Sequence, residues 1–112
     1  MFDLKWSPGE KKIAHATFEA ALSRERAAIR RNIATLLRDP NDGTEIWVIR
    51  DFLNEKAREL DQKYDFRYSV LIGVFARLLA EGWVTMEDLG GLEMTKQELI
   101  REHSDIWKRA DA

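Results

Sequence analysis

Between residues 45 and 82 apolar side chains recur every three or four positions: Ile49, Leu53, Ala57, Leu60, Tyr64, Tyr68, Leu71, Phe75 and Leu78. Steps averaging 3.6 place them on one face of an α-helix. No proline interrupts the run and Gly73 is its only internal glycine, so the pattern predicts one long helix over about 44–81. At about 1.5 Å per residue such a rod is about 54 Å long, whereas a compact domain of this size has a radius of gyration of about 13 Å. One copy cannot wrap it. A second copy is therefore expected to cover the seam of Leu53, Ala57, Leu60 and Tyr64, and the polar middle, 61–64, is where the rod is expected to bend.

The flanking segments carry their own signals. Ser7-Pro8-Gly9-Glu10 has the form of a capping box, with proline at the first helical position, where its missing N–H is tolerated. It predicts a first helix over about 8–38 with an inner stripe of Ala14, Phe18, Ala21, Leu22, Ile29, Ile33, Leu36 and Leu37. Residues 1–6 read as a short arm with Phe2, Leu4 and Trp6 alternating. Asp39-Pro40-Asn41-Asp42-Gly43 breaks the chain, and Asp42 or Thr44 caps the second helix. Gly82 is placed to stop that helix, with Trp83 or Val84 supplying the apolar contact of such a stop. Thr85-x-x-Asp88 predicts a short turn over 86–89 ending at Gly90-Gly91, and Thr95-x-x-Glu98 opens a last helix over about 96–109. Its inner positions are Leu99, Ile100, His103, Ile106 and Trp107. No segment was found to alternate with period two, so no sheet is expected. The resulting architecture is all-α: a long helical hairpin with a bent second helix and a small C-terminal helical head, one domain over 1–112, homodimeric.

Composition narrows the chemistry. With 112 residues, 45% hydrophobic and 34% charged, the chain suits one soluble helical domain with charged outer faces. Helix 2 turns Glu55, Arg58, Glu59, Lys63, Asp65 and Arg67 outward, and Glu59 with Lys63 forms a favourable i,i+4 pair. A net charge of −2 and a pI near 5.7 argue against a general nucleic-acid binder. The one basic cluster, Arg24, Arg26, Arg30 and Arg31, is expected to pair with acidic residues of helix 2 or to be solvated. The absence of cysteine excludes disulfides and thiol catalysis. Residues 1–10 lack a signal-peptide core and the longest apolar run, 70–76, is too short to cross a bilayer, which predicts a cytoplasmic protein without a membrane partner. His15 and His103 lie on different helices with no second ligand at helical spacing, so no metal is expected. No nucleophile elbow or phosphate-binding glycine loop is present, and neither enzymatic activity nor a cofactor is expected.

Trp47 falls beside the apolar stripe and shares its side of the helix with Arg50, Asp51 and Asn54, while Phe52 anchors the helix from inside. A tryptophan flanked by an arginine and a carboxylate has the composition of an interface hot spot. Three ordered blocks, Trp47-Val-Ile-Arg-Asp-Phe-Leu53, Glu59-Leu-Asp-Gln-Lys-Tyr-Asp65 with Arg67, and Val74-Phe-Ala-Arg-Leu-Leu-Ala-Glu-Gly82, resemble the fluorescence recovery protein family of cyanobacteria, with looser similarity from Trp6 to about Ile100. The resemblance implies a non-enzymatic helical homodimer. Such a dimer binds photoactivated orange carotenoid protein, hastens its return to the orange form and so ends phycobilisome quenching. It also implies a patch of tryptophan, histidine, aspartate and arginine. Trp47 and Asp51 match that patch, whereas Arg50 stands at the histidine position and Ala57 at the arginine position. These departures change a titratable ring for a permanent charge and remove a fork of donors. The partner is accordingly orange carotenoid protein or a related carotenoid-binding domain; the alternative is a helical adaptor of the same fold for another bacterial protein.

Overall fold

The first helix starts as its sequence requires. In the computed structural model, which describes residues 4–38, 43 and 45–110, the Ser7 amide donates to Glu10 Oε1 and the Glu10 amide donates to Ser7 Oγ, both at 3.1 Å. These bonds close the capping box. Four helices follow: α1 (Pro8–Arg38), α2 (Glu45–Lys63), α3 (Leu71–Glu81) and α4 (Met94–Ala110), with no strand among the described residues. The expected cap at Asp42 or Thr44 lies outside those residues, as does Phe2 of the expected arm.

The single long helix expected over 44–81 is two helices, α2 and α3, separated by the non-helical stretch 64–70. Aromatic packing explains the break. Phe18 of α1 meets Tyr64 and Phe66 edge-on at 5.4 and 5.0 Å between ring centres. Phe66 also meets His15 and Tyr68, and Tyr68 meets Trp6. Residues two apart on a helix are rotated by about 200°, so Phe66 would point away from Tyr64 and Tyr68. Outside a helix that rotation is not imposed, and all three rings reach α1, Tyr64 and Phe66 at Phe18 and Tyr68 at Lys11. Aromatic and charged residues alternate over 64–68, a period-two pattern that the helical stripe conceals.

The core gathers where α3 and α4 pack densely on each other, with Ala14, Phe18 and Ala21 of α1 completing it. Leu71, Phe75, Leu78, Leu89 and Ile100 are fully buried there. Trp6, expected in a loose arm, is buried beneath Tyr68 and Lys96. Gly82 ends α3 with φ +89° and its amide donates to carbonyls of the last turn, while Val84 is buried as the expected apolar contact. The box at Thr85 and Asp88 also forms, at 2.9 and 3.2 Å. Gly91 is a point of close approach, since a Cβ there would collide with the Ile13 side chain. The last helix begins at Met94, ahead of the expected start. The Gln97 amide donates to the Glu93 carbonyl and the Gln97 side chain donates to Leu92 O.

Beyond Glu25, α1 buries no side chain, and α2 buries only Lys63. Ile29, Ile33 and Leu36 are half-buried and Leu37 is exposed, so the expected inner stripe of α1 supplies core only over its first half. Ile106 and Trp107 of α4, expected inside, are exposed, whereas Lys96 and Ser104 are buried. A dense head thus carries a thin limb, with extents of 54 × 30 × 22 Å and a radius of gyration of 16.6 Å, well above the compact value of about 13 Å.

Two buried ion pairs fasten α1. Lys96 Nζ lies 3.1 Å from Glu10, whose other bonds come from the amides of Ser7 and Glu93. Burial pushes the Glu10 carboxyl up, but those amides and Lys96 outweigh it and hold it below the usual carboxylate range. Lys63, expected on an outward face beside Glu59, is instead buried between Glu25 and Glu81, 2.7 Å from each, with Glu59 at 3.9 Å. Arg24, expected to pair with helix 2 or to be solvated, reaches Asp88 at 2.7 Å and the Trp83 carbonyl at 2.9 Å.

Two predictions follow from this packing. Replacing the fully buried Phe75 by Ala is expected to lower unfolding free energy by about 3–5 kcal/mol in urea titration. The Arg24 guanidinium holds Asp88 down to about 2 from an ordinary 3.8. The pair therefore contributes stability that is complete above pH 4 and lost as pH falls toward 2. Arg24→Met should flatten that part of the acid-unfolding curve.

Candidate functional site

The expected patch residues sit in the first half of α2, and the helix sorts them by face. Trp47, Arg50, Asp51, Leu53 and Ala57 are exposed; Phe52, Leu60 and Tyr64 are half-buried. The shielded side of the helix holds Ile49, Phe52, Lys56 and Leu60, half-buried, and Lys63, buried; of the expected seam within α2 only Leu60 falls on this side, whereas Leu53 and Ala57 do not. Ile46, Leu53 and Ala57, seven and four residues apart, share a face that one chain leaves open, with Ile46 at 56% and Leu53 at 41% exposure.

Within the patch, the Arg50 guanidinium lies 5.3 Å from the centre of the Trp47 ring. It donates through Nε and Nη2 to Asp51 Oδ1 at 3.0 and 2.9 Å. Exposed pairs of this kind contribute between 0 and about 1 kcal/mol. Their importance lies in arrangement: an indole face, a cation and a carboxylate occupy one solvent-facing surface. Phe52 is half-buried behind it, with Lys56 Nζ 5.8 Å from its ring centre.

The other three seam residues, Ala57, Leu60 and Tyr64, line a groove between α1 and α2 of about 320 Å³, whose other walls are Phe18, Leu22, Arg26 and Asp61. The small side chain of Ala57 keeps this groove open. Tyr64 is fixed at its end, since its hydroxyl donates to Glu25 Oε1 at 2.8 Å. Burial and the neighbouring Glu25 carboxylate push that hydroxyl well above its ordinary value, so it stays protonated.

Sequence reasoning missed the cluster that holds this end of α2. Glu25 Oε2 and Glu81 Oε1 both accept from Lys63, Arg77 donates to Glu81 Oε2, and the Trp83 indole N–H donates to Glu81 Oε1. Burial pushes Glu81 up, but Lys63 and Arg77 outweigh it and hold it low. A signal was present: Glu25 falls in step with Ala14, Phe18, Ala21 and Ile29 on the inner stripe of α1, and an inward carboxylate demands a buried cation. Among the described residues no group of His, Asp or Glu converges as a metal site, and no helix is long and apolar enough to cross a membrane.

Comparison with known proteins places this arrangement. Residues 6–110 match the family model of the photoprotection regulator fluorescence recovery protein. The fluorescence recovery protein of Synechocystis sp. is 40% identical over 96 residues, covering 86% of this chain and 88% of the relative. Solved structures of the proteins from Fremyella diplosiphon and Synechocystis sp. superpose with TM-scores of 0.84 each, at 36% and 38% identity, over 90% of this chain and 99% of theirs. The chain belongs to the fluorescence recovery protein family of photoprotection regulators.

Proposed function

We propose that the protein is a non-enzymatic homodimer that binds photoactivated orange carotenoid protein, or a related carotenoid-binding domain, and accelerates its return to the orange form. The observation that carries this reading is the surface of α2: Trp47, 58% exposed, stacked with Arg50 and beside Asp51, on a helix whose apolar neighbours Ile46 and Leu53 have no cover within the chain. A hairpin of α1 and α2 with its apolar side bare, carried by a dense α3–α4 head, suits a shared seam between two copies in the cytoplasm. Trp47, Arg50 and Asp51 then form the partner patch, with Phe52 bracing it, and Leu53, Ala57, Leu60 and Tyr64 form the seam.

Acceleration requires that the dimer bind the orange-like arrangement, or the transition state toward it, more tightly than the red form. Each 1.4 kcal/mol of such preference gives about a tenfold faster return. Arg50 makes this patch permanently cationic, so binding here does not depend on titration near neutral pH. In the family pattern a histidine at that position would titrate there.

Light scattering is expected to give twice the chain mass of 13.1 kDa, and Leu53→Glu to shift it to monomer by forcing a charge into the seam; a monomeric parent protein would refute the shared seam. Equimolar protein is expected to speed dark recovery of photoactivated orange carotenoid protein. Trp47→Ala should lose at least tenfold of that acceleration while its melting temperature stays within about 2 °C, as befits an exposed side chain. An unchanged recovery rate with the parent protein removes that partner and leaves the adaptor reading.

A further inference from the structure

We infer that Lys63 is the lock that sets how α2, and with it the Trp47–Arg50–Asp51 surface, stands relative to the α3–α4 head. It is the only buried side chain of α2. Apart from Lys63, the polar side-chain contacts of α2 among the described residues stay within the helix, as in Arg50 with Asp51 and Lys56 with Glu59. The backbone does not dictate the angle either, because the chain leaves helical geometry at Tyr64 and regains it only at Leu71. Orientation is left to half-buried apolar contacts, which slide, and to one ammonium, which does not.

The lock is built from three elements. Lys63 Nζ meets Glu25 of α1 and Glu81 of α3 at 2.7 Å each, with Glu59 of its own helix at 3.9 Å. An ammonium has three donors in a fixed tetrahedral spread, so two carboxylates from two elements fix its position. Both carboxylates are held from behind. The Tyr64 hydroxyl donates to the second oxygen of Glu25, and Arg77 donates to the second oxygen of Glu81. Lys63 is thus a positioning residue: its side chain is buried within the chain, and its removal unfixes the helix that carries the proposed patch. The inference draws its functional meaning from α2 as the recognition helix, but the lock itself is a property of a single chain.

The chain has no cysteine, so spin labels at Glu55→Cys on α2 and Arg101→Cys on α4, both exposed, report the angle of α2 directly. Dilution with unlabelled protein restricts the measurement to distances within one chain. The parent is expected to give one narrow distance distribution. Lys63→Met combined with Glu25→Gln, which leaves no buried charge of that pair stranded, is expected to broaden it at least twofold. In the same variant, hydrogen exchange of α2 amides should quicken at least tenfold while α3 and α4 stay within twofold. An unchanged distribution, or α2 and α3 losing protection together, overturns the lock. Should the double variant not fold, Glu81→Gln decides: broadening supports the lock and an unchanged width refutes it. Light scattering and recovery kinetics test the dimer and its partner separately, so either failure is visible without the other.

Discussion

A carboxylate on the inner face of α1 is the constraint on which the rest of the structure depends. Glu25 is 3% exposed, and an ionised carboxylate held so far from water is tolerated only with a cation and full hydrogen bonding. Lys63 supplies the cation and Tyr64 the second bond. Meeting that demand fixes the register of α2 on α1 and brings the end of α3 to the same place, because Glu81 shares the ammonium. About four turns earlier on α1, Glu10 and Lys96 solve the same problem for α4. Two buried charges therefore position the two halves of the head along one helix, and the apolar residues between them pack in the space so defined.

The second consequence is a division of labour. The head has a continuous apolar core and the completed caps and turns at Ser7–Glu10, Gly82 and Thr85–Asp88. The limb, residues 28–38 and α2, buries only Lys63. Positions 50 and 57 both lie on the limb and both face solvent. Their identities are nearly free of folding constraint in a single chain.

Much of this was legible because it is local. The boxes at Ser7–Glu10 and Thr85–Asp88, the span of α1, and the stop at Gly82 all depend on residues within four positions of one another, and short-range rules suffice for them. The grouping of Trp47, Arg50 and Asp51 on one exposed side of α2 is local in the same way. The break at 64–70 was not legible, because Tyr64, Tyr68 and Leu71 keep helical spacing while the alternation of aromatic and charged residues competes with it. Only the rings of α1 decide between the two, and they lie over 40 positions away. Lys63 was misplaced for a related reason: its i,i+4 neighbour Glu59 offers a plausible outward partner, whereas its true partners are 38 and 18 positions distant.

The four tryptophans divide along the same boundary. Trp6 is enclosed in the head and Trp83 is partly enclosed with its N–H bonded to Glu81, while Trp47 on the limb is exposed and Trp107 on α4 is exposed beneath Arg77. The molecule thus carries intrinsic optical probes of two kinds. Emission from the shielded indoles registers the integrity of the head, and emission from Trp47 registers the surroundings of α2, so the two parts of the fold have separate natural signals in one unlabelled chain.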